Sequence, residues 1–124
     1  MQLIKILDRV TFTSSDAGEL SYDISDKIID ALSAKHAAAY VLVHQADSNT
    51  EVKIAYRHSP DGVNWATGAN LYDSTTAIAD GMNASDAGVD ISFVAKMMPT
   101  VSINDLSTGG VTATLSAWIV LKPF

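Results

Sequence analysis

Val111-Thr112-Ala113-Thr114-Leu115-Ser116-Ala117-Trp118-Ile119-Val120-Leu121 alternates with a period of two. In a β-strand successive side chains point to opposite faces. Val111, Ala113, Leu115, Ala117, Ile119 and Leu121 are therefore predicted to share one buried face. The opposite face carries Thr112, Thr114 and Ser116, followed by Trp118 and Val120. A helix would distribute the apolar set around its axis, so this run predicts a long strand with one committed core face.

The same period recurs upstream. In residues 4–12, Ile4, Ile6, Val10 and Phe12 share a face that Asp8 interrupts, with Leu7 on the other side. Residues 14–18 read as a turn, after which Leu20, Tyr22 and Ile24 alternate. Residues 39–45 form an apolar run that predicts a strand buried on both faces. Residues 51–59 place Val52, Ile54, Tyr56 and His58 on one face and Lys53, Ala55 and Arg57 on a more solvated one. Residues 89–97 predict a strand with Val89, Ile91, Phe93 and Ala95 together, ended or bent by Pro99, and residues 100–103 a short further strand. Gly109 and Gly110 predict the turn into the last strand.

Two stretches break the pattern. Ile24, Ile28, Ile29 and Leu32 follow helical spacing, with Ser25 or Asp26 as a cap, which predicts one or two short helical turns. Residues 66–90 are rich in Gly, Ala, Asn, Asp, Ser and Thr and read as a long irregular excursion. Within it, residues 73–81 fit a short helix and residues 76–79 fit a strand. The whole reads as a single all-β domain over residues 1–124, an antiparallel sandwich of seven to eight strands. Jelly-roll and immunoglobulin-like strand orders share this pattern.

Composition narrows the function classes. The 124 residues contain no cysteine, which removes disulfide frameworks, thiol nucleophiles and cysteine zinc sites. There are 14 acidic and 8 basic residues, a net charge of −6, and no run of Lys or Arg. Nucleic acid, which needs a basic face, is not an expected partner. Twelve of the 14 acids are Asp, a turn and cap residue, which favours a loop-rich β fold. No apolar stretch approaches the roughly 20 residues that span a bilayer, and the first nine residues lack a signal-peptide layout. No membrane partner is expected, and the chain is read as made in the cytoplasm.

Chemistry-bearing constellations are sparse. His44 and His58 lie on neighbouring predicted strands and would pair on a metal only with a third ligand, and HxH and HExxH spacings are absent. A catalytic serine would need an elbow such as GxSxG, which does not occur. Asp80 and Asp86 bracket a loop with a faint likeness to a calcium site, without the spacing or terminal Glu of an EF-hand. The two Glu residues, Glu19 and Glu51, both flank turns, unlike a buried general acid. No cofactor and no catalysis are expected. Trp118 lies opposite Leu115 and Ile119, so with Val120 it forms an outward apolar pair of the kind that marks contacts. Leu3, Trp65, Tyr72, Trp118, Val120 and Phe124 are the expected interface residues.

Tyr56-Arg57-His58-Ser59-Pro60-Asp61-Gly62-Val63-Asn64-Trp65 contains a further signal. Pro60 presets a type I turn, Gly62 supplies the left-handed position after it, and Val63 and Trp65 are predicted to begin the return strand. The Ser-x-Asp-Gly-x-x-Trp hairpin is similar to one in discoidin-like and other sugar-binding sandwiches, and in small virion proteins of tailed bacteriophages. The chain as a whole resembles the capsid decoration, or cement, proteins of such phages. That resemblance implies a non-enzymatic protein of the virion, partnered by capsid subunits and by itself in a homo-oligomer, often a trimer. A sugar-binding or adhesion module is the second reading. It would stack sugar rings on Trp65 or Tyr72 beside Asp and Asn.

Overall fold

A computed structural model of the chain describes residues 1–15, 18–85, 87–107 and 109–124. Ten strands follow in order: β1 Gln2–Ser14, β2 Gly18–Asp23, β3 Ile29–Asp30, β4 Ala34–Ala46, β5 Thr50–Ser59, β6 Ala66–Asp73, β7 Gly81–Ala84, β8 Val89–Asp90, β9 Lys96–Asp105 and β10 Val111–Pro123. They form two antiparallel sheets. The first has the order β1-β10-β4-β7, with β8 on β4, and the second β2-β9-β5-β6, with β3 on β9.

The pairing follows one rule. β5 pairs with β6, β4 with β7, β2 with β9 and β1 with β10, so the chain is a long ribbon doubled back at residues 60–65 and rolled into two layers. This is jelly-roll order, which decides between the two orders the sequence left open. It also makes the 59–65 turn the tip of the ribbon. There Gly62 adopts a φ of 76°, the left-handed value expected of it.

The core lies between the layers. Val111, Ala113, Leu115, Ala117, Ile119 and Leu121 of β10 are all buried, as are Val52, Ile54 and Tyr56 of β5. Val101 and Ile103 of β9 and Val41 and Val43 of β4 complete the centre. In β1 the alternation slips. Bulges between Lys5 and Val10, with Arg9 at a φ of 50°, bury Ile6 and Leu7 in succession and leave Val10 exposed.

Several expectations need correction. Residues 24–33 contain no helix. Single hydrogen-bonded turns (Lys27 N to Ile24 O, 3.1 Å; Ala34 N to Ala31 O, 3.0 Å) flank the short strand β3. Ile24, Ile29 and Ala31 reach the core while Ile28 and Leu32 stay exposed, which no single helical face would do. Residues 66–90 are not an irregular excursion but hold β6, β7 and β8, and neither a helix over 73–81 nor a strand over 76–79 forms. The return strand starts at Ala66, not at Val63. Residues 89–97 are not one strand: the chain turns after Asp90, burying Ile91 and Val94 and turning Phe93 outward. Pro99 neither ends nor bends a strand but sits buried inside β9. Its carbonyl accepts from Ile24 N at 2.9 Å where β2 has just ended, so the N–H it lacks would have pointed into that gap. β4 is buried on one face only, and Tyr40 is 40% exposed on the other. The expected turn at 14–18 includes residues 16 and 17, which lie outside the described residues.

Candidate functional site

The two sheets present different outer faces. On the β2-β9-β5 face, charge and hydroxyl groups are cross-linked. Lys53 pairs with Glu19 at 2.9 Å, and Arg57 with Asp23 at 3.3 Å, in each case across the intervening β9. Ser21 bonds Ser102 at 2.8 Å, and the Asn104 amide donates to Glu51 at 2.8 Å. Polar groups satisfied in this way leave a solvated surface.

The outer face of β1-β10-β4-β7 is apolar at one end and polar at the other. Register places Leu3 beside Val120 and Ala38, and Lys5 beside Trp118 and Tyr40, with Ala84 beyond. Met82 lies next to Leu42 on the edge strand. Of these, Leu3, Ala38, Tyr40, Met82, Ala84, Trp118 and Val120 line a shallow groove of about 740 Å³. Leu3 is 64% exposed and Met82 58%, while Val120 is already buried at the groove floor. The Lys5 ammonium stands 5.3 Å above the Trp118 ring and binds Asp8 at 3.0 Å. That ion pair holds the Asp8 carboxyl below its usual range, first through the hydrogen bond from Lys5 and then through its charge.

Further along the same face, His44 Nε2 and Ser116 Oγ are 2.8 Å apart, and Arg9 N donates to that Oγ at 3.0 Å. A nucleophile needs an open line to a substrate carbonyl. Ser116 is buried and its oxygen already accepts a backbone hydrogen bond, so the pair fastens β1, β10 and β4 together. His44 and His58 belong to different sheets, and His58 stacks edge-on against Phe93 at 5.4 Å. Among the described residues no three His, Asp or Glu side chains converge as a metal site. Asp86, half of the suggested calcium loop, lies outside the described residues, and Asp80 is exposed.

Of the expected interface residues, Leu3, Trp118 and Val120 meet in the groove. The others do not join them. Trp65 is half-buried just before β6, Tyr72 packs against the core near the far end of β6, and Phe124 is exposed beyond β10. Trp65 and Tyr72 are separated by about seven strand residues, roughly 23 Å. They do not form one sugar platform. Sequence reasoning missed Tyr40 and Met82. Tyr40 was hidden inside a run read as buried on both sides, and Met82 inside the supposed excursion.

No protein-family model matches the sequence, and no curated protein matches it. Solved structures do match by shape. A structure of the infectious bursal disease virus VP2 subviral particle aligns with a TM-score of 0.66 at 8% identity, covering 98% of this chain and 32% of that one. The T13 particle of the same virus gives 0.66 at 9% identity over 98% and 30%. Its Gx strain gives 0.64 at 12% identity over 95% and 30%. The chain thus spans about a third of the length of these neighbours, and at such identities the likeness is one of fold. What it establishes is that the rolled sandwich described above also builds a segment of proteins seen in virus particles.

Proposed function

We propose that the chain is a non-enzymatic structural protein of a virion. In this reading it acts as a capsid decoration or cement protein, packing the apolar end of its β1-β10-β4-β7 face against neighbouring subunits. The observation that carries this reading is the contrast between the two outer faces. One is closed by ion pairs and hydrogen bonds, and the other leaves Leu3, Tyr40 and Met82 exposed around a half-buried Trp118. The fold shared with virus-particle proteins supports it. Jelly rolls also serve in lectins, and the distance between Trp65 and Tyr72 limits the sugar-stacking alternative to one of the two rings.

The test uses particles of a virus that encodes the chain. Quantitative mass spectrometry is expected to find the chain in a fixed ratio to the shell subunit. A Leu3→Asp, Met82→Asp variant is expected to keep the wild-type circular dichroism and lose incorporation. Absence of the wild-type chain from purified particles would overturn the proposal, and so would unchanged incorporation of the double variant.

A further inference from the structure

We propose that His44 is a pH-sensitive latch on the β1 bulge: on taking up a proton its imidazole gives up Ser116 and turns to Asp8, and the Arg9 amide is released. The latch belongs to the fold itself and holds whatever the apolar groove meets.

Both neighbours of β10 slip register around one of its residues. In β1, Asp8 and Arg9 together stand opposite Ser116, because Leu7 pairs with Ala117 and Val10 with Leu115. In β4, His44 is the extra residue, because Val43 pairs with Leu115 and Gln45 with Thr114. Bulges re-aim the groups they hold, and these two meet at a single oxygen. Arg9 N donates to Ser116 Oγ at 3.0 Å, and His44 Nε2 lies 2.8 Å from the same atom. Arg9 has a φ of 50°, an unfavourable value for a residue with a Cβ, so the bulge depends on that hydrogen bond. Ser116 is only 2% exposed, and among the described residues its hydroxyl has no further partner. Arg9 N can only donate, so the hydroxyl proton goes to His44. The donor count therefore makes Nε2 the accepting nitrogen and puts the ring proton on Nδ1.

Protonation turns Nε2 from an acceptor into a donor. Two donors then face one buried oxygen whose own proton has no acceptor, a worse state than a hydrogen bond simply lost. The surrounding charges decide where the imidazolium goes. Asp8 of β1 attracts it, and the charge of His44 acts on that carboxylate. Asp80 attracts it too, since it precedes Gly81, which pairs with Val43. Lys5 and Arg9 of β1 repel it. β10 presents Thr114, Ser116 and Trp118 here, none of them charged. Asp47, just beyond β4, is tied to Thr112 N at 2.9 Å and to the Gln45 amide at 3.3 Å. Asp8 thus gains a second cation beside Lys5, which it binds at 3.0 Å. Ser116, left alone, satisfies its proton by turning to water, and that takes its oxygen off Arg9 N.

Amide hydrogen exchange followed by NMR tests the latch. Between about pH 8 and about pH 5, where histidine takes up its proton, the Arg9 amide is expected to lose protection relative to an unstructured chain. The expected loss is roughly five- to tenfold, the worth of one buried hydrogen bond. Val101, central in the other sheet, should keep its protection. His44→Gln can accept the same hydroxyl through its amide oxygen and does not titrate, so it should abolish the pH dependence. Ser116→Ala should leave Arg9 unprotected at every pH. The nitrogen shifts of the wild-type His44 ring at about pH 8 should place its proton on Nδ1. A proton on Nε2 there would overturn the inference, as would Arg9 protection that ignores pH. So would a pH dependence that survives in His44→Gln, or an equal loss at Val101, which would mark a general loosening in acid.

Discussion

Asp61 organises the ribbon tip with a single carboxylate. Its oxygens accept from Asn64 N and Val63 N, both at 2.9 Å, from Asn64 Nδ2 at 2.8 Å and from Ser59 Oγ at 2.8 Å. Every one of these donors favours the ionised form, the Asn64 amide most, so the carboxyl titrates far below the ordinary Asp value. A carboxyl whose folded value is depressed adds stability that is complete above its unfolded value, near 3.9, and is lost as pH falls through the folded one. Asp61→Asn is therefore expected to lower Tm at pH 7, with a deficit that begins to shrink below about pH 4. A deficit independent of pH would show that the charge is not what the turn uses. Gly68 illustrates a different residue-scale constraint. A Cβ there would lie 2.3 Å from the Tyr56 ring and 2.5 Å from its carbonyl oxygen. Because Tyr56 is fully buried, neither can retreat. Gly68→Ala should cost about 1–3 kcal/mol in urea unfolding, the usual penalty for overpacking.

At the scale of elements, β10 is the spine of the first sheet, paired along its length with β1 on one side and β4 on the other. Leu115 is wholly buried there, and Leu115→Ala should cost about 2–5 kcal/mol. Leu3→Ser, on the outer face of β1, should change monomer stability by less than about 0.5 kcal/mol. Equal losses in a denaturant titration would mean that the groove residue is core after all. β10 and β5 were legible in the sequence because each commits one alternating face to the core. β6 was not, because it is an edge strand whose side chains, such as Thr67 and Asn70, mostly face water. Its pairing with β5 comes from the turn at its start and from Gly68 yielding to Tyr56, and neither leaves a hydrophobic period. Residues 89–97 misled for the opposite reason. Val89, Ile91 and Phe93 alternate, yet a turn inside the run sends Phe93 to solvent. The candidate site was legible only through β1 and β10. Leu3, Trp118 and Val120 stood out, while Tyr40 needed knowledge of which sheet lies over β4.

The whole molecule has direction as well as faces. Its uncompensated negative charge lies toward one end, where Asp47, Asp73, Asp80 and Asp105 stand against Lys53, while Asp26, Asp30, Asp61 and Asp90 at the groove end are matched by Lys27, Lys35, Lys96 and Lys122, and both termini lie at that second end. A partner seated in the groove itself lies at the other end from this charge. The doubled-ribbon pairing has a kinetic consequence as well. The β5–β6 rung closes the smallest loop, and each rung further from the tip encloses the ones before it, to the β1–β10 rung that brings the first strand to the last. Closing each larger loop is cheap once the inner one exists, because the entropic cost rises by only about 0.6 kcal/mol per doubling of length. The molecule should therefore zip from the tip. Substitutions at Ser59 or Asp61 should mainly slow refolding in stopped-flow chevrons, and Ile6→Ala in β1 should mainly accelerate unfolding. The reverse partition would mean that the first and last strands meet before the turn has formed.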